Sequence, residues 1–165
     1  MHGSAYEYVA RAEAQHGPFR RVCEIGSRNI NGSVRPVFDG CHYVGVDIQP
    51  GPDVDVVADA ADWDTAERFD CVVSTSVLEH TPEAPALVAS AARLLEPGGM
   101  FVMTCAGVGW APHSAVDGGA LRPGEYYENV TEEMLNNWLS AAGFATWQTD
   151  YYPEFADMCC VAWVP

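Results

Sequence analysis

Carboxylates and a glycine turn occur where predicted strands of the chain end. Asp47 lies near the end of the apolar segment 43–48, and Asp59 follows the segment 54–58. An acidic side chain at the first position can accept hydrogen bonds from both hydroxyls of a ribose, and Asp59 can accept one from an exocyclic amine. Gly26 follows another apolar run and lets backbone amides approach a ligand closely. Together these residue types predict a nucleoside site.

The elements that position these residues follow from the spacing of apolar and turn residues. Helical spacing or capping residues predict helices over 4–16, near 33–38, from Thr81 and from Thr131. Apolar runs predict strands at 21–26, 43–48, 54–58, 69–75, 100–106, about 145–151 and 158–164. The last two strands are joined by a connection too short for a helical crossover, so we expect them to be antiparallel. This order predicts an α/β fold with a doubly wound sheet and helices on both faces.

Composition and charge exclude several classes of protein. The 165 residues fit one domain, and the net charge of −15 disfavours nucleic acid as a partner. The chain has no lysine, which removes Schiff-base chemistry and the lysine of a phosphate-binding loop. No apolar run approaches the roughly 18 residues that cross a bilayer, so no membrane association is expected. Six cysteines without CxxC spacing indicate reduced core thiols in a cytoplasmic protein and predict no metal site.

Five motifs in order resemble the class I S-adenosylmethionine-dependent methyltransferases. They are VCEIGS, YVGVDI, VVADA, FDCVVSTSVLEHTP and LLEPGGMFVMT, and they cover most of the chain. The resemblance implies a Rossmann-like, seven-stranded sheet, mostly parallel with an antiparallel last strand. It also implies S-adenosylmethionine as cofactor and methyl transfer (EC 2.1.1.-) by in-line displacement, with an oxygen or nitrogen of a small molecule favoured as the acceptor.

The same resemblance implies a set of cofactor contacts. The set comprises Glu24, Gly26, Ser27 and Arg28 at the methionine part, Asp47 at the ribose, Asp59 and Ala60 at the adenine, Ser74 near the methionine amino group, and Ile48 as a further cofactor contact. Glu24 either orients the first loop through backbone amides or touches the cofactor. Arg28 stands where the family usually has glycine, and it either points at the cofactor carboxylate or lies outward in solvent.

Candidate catalytic residues lie beside the cleft and on the loop at 107–130. His80 follows the fourth strand, where capping or packing is as good an interpretation as catalysis. His113 and Asp117 are candidates for contacting the acceptor or taking its proton, against the alternative of a merely mobile polar loop. The segment 126–129 forms either an aromatic wall over the methyl donor or a hydrophobic staple onto the last helix.

Only a short segment separates strands two and three, so we expect no crossover helix there. We therefore expect the adenine side to be shallow and to be completed either by Trp63 or by another subunit of a homodimer. We expect one methyltransferase domain over 1–165, with an N-terminal helix at 1–18, a cofactor-binding half at 19–106, and an acceptor-side loop, helix and hairpin at 107–165.

Two alternatives stay open. A non-catalytic cofactor-binding module of the same fold, acting through a partner, is the stronger. A nicotinamide-dependent oxidoreductase would share the sheet, but the turn GSRNINGS does not match GxGxxG.

Overall fold

The computed structural model describes residues 3–165, so Met1 and His2 of the predicted N-terminal segment lie outside the described residues. The helices are α1 (Gly3–His16), α2 (Ala84–Leu94) and α3 (Glu132–Ala141), with short 3₁₀ turns at Arg35–Phe38 and Leu78–His80. The strands are β1 (Arg21–Ile25), β2 (His42–Asp47), β3 (Val56–Val57), β4 (Phe69–Thr75), β5 (Leu95–Ala106), β6 (Thr146–Tyr152) and β7 (Asp157–Trp163).

The seven strands form one sheet in the order β3-β2-β1-β4-β5-β7-β6. The first five strands are parallel, and β7 is antiparallel to both β5 and β6. This confirms the predicted mostly parallel sheet with an antiparallel last strand. From β1 the chain adds β2 and β3 on one side of the sheet, and from β4 it adds the later strands on the other side, so the direction of the strand order switches between β1 and β4. Ligands of such sheets bind at this switch point, beyond the carboxyl ends of the strands.

Alternating side chains along the central strands bury a core on each face of the sheet. On β4, Val72 belongs to the core shared with α2 and α3, whereas Cys71 and Val73 belong to the core shared with α1. This period of two is that of a strand buried on both faces. The helices on both faces are therefore confirmed.

Three predicted elements differ most from the structure in their bounds. Helix α2 begins at Ala84, since Thr81 is extended and its Oγ1 accepts a hydrogen bond from the Glu83 amide at 3.0 Å. Strand β3 is only two residues long, because Asp55 binds the Gly45 amide through its carboxylate at 2.8 Å. Strand β5 begins directly after α2, at Leu95. The predicted cap of α3 is confirmed, with Thr131 Oγ1 accepting from the Met134 amide at 3.1 Å.

No helix within residues 3–165 is both long enough and apolar enough to cross a membrane.

Candidate functional site

A cavity of about 710 Å³ opens at the carboxyl-terminal edge of the sheet. Its walls come from the turn after β1, the end of β2 and the segment 58–60. The end of β4 with the residues that follow it, and the loop segment 110–120, form the other walls. The volume lies in the usual range of small-molecule sites, roughly 300–1,000 Å³. The cavity thus occupies the switch point between β1 and β4, where the topology predicts a ligand.

Gly26 forms a tight floor of the cavity. Its φ is +79°, and its amide donates to the Val46 carbonyl at 2.8 Å. A Cβ at this position would lie 2.2 Å from Cγ2 of Val77. Only glycine fits both the conformation and the space, so the backbone is open to the cavity here.

Asp47 ends β2 with its carboxylate fixed at the cavity wall. Oδ2 accepts a hydrogen bond from the Arg28 amide at 3.1 Å, and Oδ1 accepts one from the Gln49 amide at 2.9 Å. Each carboxylate oxygen can accept more than one bond, so both keep capacity for a ligand hydroxyl. The next residue, Ile48, lines the cavity with 67% of its surface exposed.

Asp59 and Ala60 line the far end of the cavity, as the sequence predicts. Oδ1 of Asp59 accepts from the Ala61 amide at 2.9 Å, and the Ala60 carbonyl accepts from the Ser90 hydroxyl at 2.6 Å. Of the two alternatives for completing this end, Trp63 is removed, because its side chain packs against the hydrophobic core and is not among the described residues that line the cavity. Leu87 of α2 closes part of that end instead.

Two predicted cofactor contacts take other positions. Ser74 is buried inside β4 with 1% exposure and is absent from the described cavity lining, where Thr75 and Ser76 lie instead. The reason is that β4 continues through Thr75 before the chain turns at Ser76, whose φ is +55°. Arg28 lies at the cavity rim, where its Nη1 donates to Oε1 of Gln49 at 2.8 Å. This placement fits the outward alternative for Arg28.

Glu24 lines the cavity but is 3% exposed. Its Oε2 accepts a hydrogen bond from the Tyr43 hydroxyl at 2.8 Å, so the partner is a side chain, where the sequence suggested backbone amides. Burial raises the pKa of Glu24 to about 7, and the Tyr43 hydrogen bond partly opposes that rise. Burial therefore favours the protonated form of this carboxyl group far more than water does.

This burial predicts a pH-dependent stability difference between the wild type and Glu24→Gln in the absence of ligand. The folded pKa of about 7 exceeds the ordinary value of 4.5, so the folded wild type binds more protons between these values. The free energy of unfolding of the wild type should therefore fall, relative to the variant, as pH rises from about 4.5 to about 7. The change should approach about 3 kcal/mol. Urea denaturation of both proteins at pH 4.5, 6 and 8 measures this, and a constant difference would contradict it.

His80, His113 and Tyr127 form an aromatic cluster where the turn after β4 meets the loop after β5. The ring centroids of His80 and His113 are 4.7 Å apart. The ring centroid of Tyr127 lies 5.5 Å from that of His80 and 5.0 Å from that of His113. Burial, and then the nearby His113, lower the pKa of His80 to about 4. His80 is therefore neutral at physiological pH. The structure brings the two predicted histidines together and packs Tyr127 against both, although Tyr127 is not among the described residues that line the cavity.

Asp117 also lines the cavity, but its carboxylate has partners on its own loop. It accepts a hydrogen bond from the Gly119 amide at 2.9 Å and pairs with the Arg122 guanidinium. These interactions, the Gly119 bond first, lower the pKa of Asp117. A carboxylate held in this way is a weaker proton acceptor than a neutral imidazole.

Glu79 is a residue to which sequence reasoning gave no role. It is 1% exposed, and its Oε1 accepts from the Ala106 amide at 3.1 Å. Ligand atoms of Glu79, His80 and His113 all lie within 4.8 Å of one another. The sequence offered one indication of this role, the carboxylate of Glu79 between apolar residues and His80. The approach of His113 could not be predicted, because its loop has no apolar periodicity.

Comparison with solved structures shows the class of fold. The chain is similar to 1,6-didemethyltoxoflavin-N1-methyltransferase of Burkholderia thailandensis, solved with 1,6-didemethyltoxoflavin and S-adenosylhomocysteine, at 20% identity and a TM-score of 0.69, over 98% of this chain and 79% of that one. It is also similar to N-methyltransferase NodS of Bradyrhizobium japonicum, solved with S-adenosylhomocysteine, at 16% identity and a TM-score of 0.66, over 97% and 85%. Magnesium protoporphyrin IX methyltransferase of Synechocystis, solved with S-adenosylmethionine, matches at 19% identity and a TM-score of 0.66, over 97% and 78%. The fold is therefore the Rossmann-like fold of class I methyltransferases.

A sequence model described as a methyltransferase domain matches residues 1–149. The chain therefore belongs to the methyltransferase domain family, which confirms the resemblance seen in its motifs. No curated protein shows significant similarity to it.

Proposed function

We propose that this chain binds S-adenosylmethionine in the cavity and transfers its methyl group to an oxygen or nitrogen of a small-molecule acceptor. The observation that carries the proposal is Asp47, whose carboxylate is held at the end of β2 beside the Gly26 turn. Membership of the methyltransferase family and the cofactors bound by the structural neighbours support it.

The residues at the cavity fit the parts of this cofactor. Asp47 would accept from the ribose hydroxyls, and the apolar side chains of Ile48 and Ala60 would pack on the adenine. The hydroxyl of Ser27 is buried at the cavity wall and has no hydrogen-bond partner among residues 3–165. An unpartnered buried hydroxyl is costly, so a polar ligand group beside the Gly26 turn would stabilise this arrangement.

The charge of the cavity suits a cationic ligand. Five acidic residues line it against one arginine, Arg28: they are Glu24, Asp47, Asp59, Glu83 and Asp117. When bound, the cofactor would supply an electrophilic methyl group carried on a sulfonium, with the thioether as the leaving group. The protein's contribution is to align the acceptor and to exclude water.

The histidine cluster would serve the acceptor. Nδ1 of His113 lies 3.1 Å from the Ala111 carbonyl, and since a carbonyl only accepts, Nδ1 is the donor, which makes Nε2 the nitrogen that bears the lone pair in the neutral imidazole. The lowered pKa of His80 keeps that ring neutral, so it can accept a hydrogen bond from the acceptor, whereas Nε2 of His113 would take the proton. Asp117, on the same loop, would contact the acceptor without taking its proton.

Turnover tests the proposal. The protein is incubated with S-adenosylmethionine and a panel of phenols, carboxylic acids and amines, and S-adenosylhomocysteine is quantified by mass spectrometry. We expect acceptor-dependent turnover that falls at least about 100-fold in His113→Gln. His42→Gln is the matched control, because His42 lies at the opposite end of β2 and pairs with Glu67. Binding of S-adenosylhomocysteine without turnover on any acceptor would favour a non-catalytic cofactor-binding module of the same fold.

A further inference from the structure

Three side chains that commonly bind transition metals meet at the acceptor end of the cavity. Glu79 and His80 come from the 3₁₀ turn after β4, and His113 comes from the long loop after β5. One ligand atom of each lies within 4.8 Å of the other two. Two imidazoles and one carboxylate form a donor set typical of Zn²⁺ and of Fe²⁺ sites.

Two of these side chains each have a buried polar atom without a hydrogen-bond partner. Neither Oε2 of Glu79 nor Nδ1 of His80 has a hydrogen-bond partner within the described residues 3–165. Glu79 is 99% buried, so its second oxygen has no access to solvent as an alternative. A cation bound by Glu79 and His80 through these atoms would satisfy both of them, and it would also account for the approach of His113.

Hydrogen bonds to the protein backbone orient two of these side chains, as is common for metal ligands in proteins. The Ala106 amide holds Oε1 of Glu79 at 3.1 Å, which leaves Oε2 as the free oxygen. The Ala111 carbonyl holds Nδ1–H of His113, which leaves Nε2 as the free nitrogen. Outer hydrogen bonds of this kind fix the tautomer and direction of ligating side chains.

The position of the cluster gives an ion access to a ligand. His80 and His113 line the large cavity, and Glu79 lines a small adjoining cavity behind them. Three protein ligands leave coordination positions open, as in catalytic rather than structural metal sites.

We propose that Glu79, His80 and His113 bind one divalent transition-metal ion at the acceptor end of the cavity. The role of the ion rests on the proposed function: it would bind the oxygen or nitrogen of the acceptor and lower the pKa of that group. The two histidines would then act on the acceptor as ligands of the ion, and the proton would pass to water.

Metal titration of tag-free, chelator-treated protein tests this site. Zn²⁺ binding is measured by calorimetry, and Co²⁺ binding is followed by its visible absorption bands. We expect one equivalent of either ion to bind to the wild type, with affinity reduced at least about 100-fold in His113→Gln. His42→Gln, which removes an exposed histidine paired with Glu67, should leave this affinity unchanged.

His113→Gln is the variant used because His113 lies on a loop, whereas Glu79 is buried and Glu79→Gln could prevent folding. Equal affinity in the wild type and His113→Gln, or no binding to the wild type, would overturn the metal site. Titration of the same samples with S-adenosylhomocysteine separates the two proposals. Nucleoside binding without metal binding overturns this inference alone, and metal binding without nucleoside binding confirms the site while overturning the proposed function.

Discussion

Asp47→Ala is expected to lower the affinity for S-adenosylhomocysteine by at least about 100-fold, since two hydrogen bonds to a charged acceptor would be lost. The carboxylate also holds the Arg28 and Gln49 amides, so the variant loosens both turns that border the ribose position. Calorimetric titration of both proteins measures the effect.

Asp55→Ala is the matched control for this experiment. Its carboxylate likewise accepts from a backbone amide, that of Gly45 at 2.8 Å, and pairs with Arg35, but it is absent from the described cavity lining. We expect Asp55→Ala to change thermal stability without a comparable loss of nucleoside affinity. Equal losses in the two variants would show that Asp47 acts through stability alone, and an unchanged affinity in Asp47→Ala would remove it from the site.

Gly26→Ala is expected to destabilise the protein by about 2–4 kcal/mol and to abolish nucleoside binding, because it combines backbone strain with overpacking. The φ of +79° is unfavourable for alanine, and the new Cβ would lie 2.2 Å from Cγ2 of Val77. Either the turn or Val77 must move. Urea denaturation and calorimetry measure the two effects.

Two further variants separate the causes. Gly98→Ala has nearly the same φ, +78°, with no atom within 4 Å of the new Cβ, so it reports the backbone strain alone and should cost only about 1 kcal/mol. Adding Val77→Ala to Gly26→Ala removes the close contact and should recover part of the lost stability. If Gly26→Ala were as mild as Gly98→Ala, the close approach to Val77 would not be a constraint.

The sheet and the nucleoside side of the cavity could be predicted because they depend on local patterns. Strands β1, β2 and β4 are short apolar runs, and residues at their ends must lie along one edge of a parallel sheet. Gly26, Asp47 and Asp59 line the cavity, as their positions at the ends of the predicted strands 21–26, 43–48 and 54–58 indicate.

The remaining site residues depend on contacts that no local pattern encodes. Ser74 and Thr75 differ by one position at a strand end, and only the actual turn decides which of them lines the cavity. The direction of Arg28 depends on Gln49 in another loop. The meeting of His113 with Glu79 depends on the irregular loop at 107–130, which has no periodicity to read.

Calorimetric titration of the wild-type protein with S-adenosylhomocysteine, with NAD as the control ligand, tests the central claim most directly. The account predicts one site with a dissociation constant of about micromolar order for S-adenosylhomocysteine and no binding of NAD. Binding of NAD alone, or of neither ligand by a folded, ligand-free sample, would contradict the assignment of this cavity to S-adenosylmethionine.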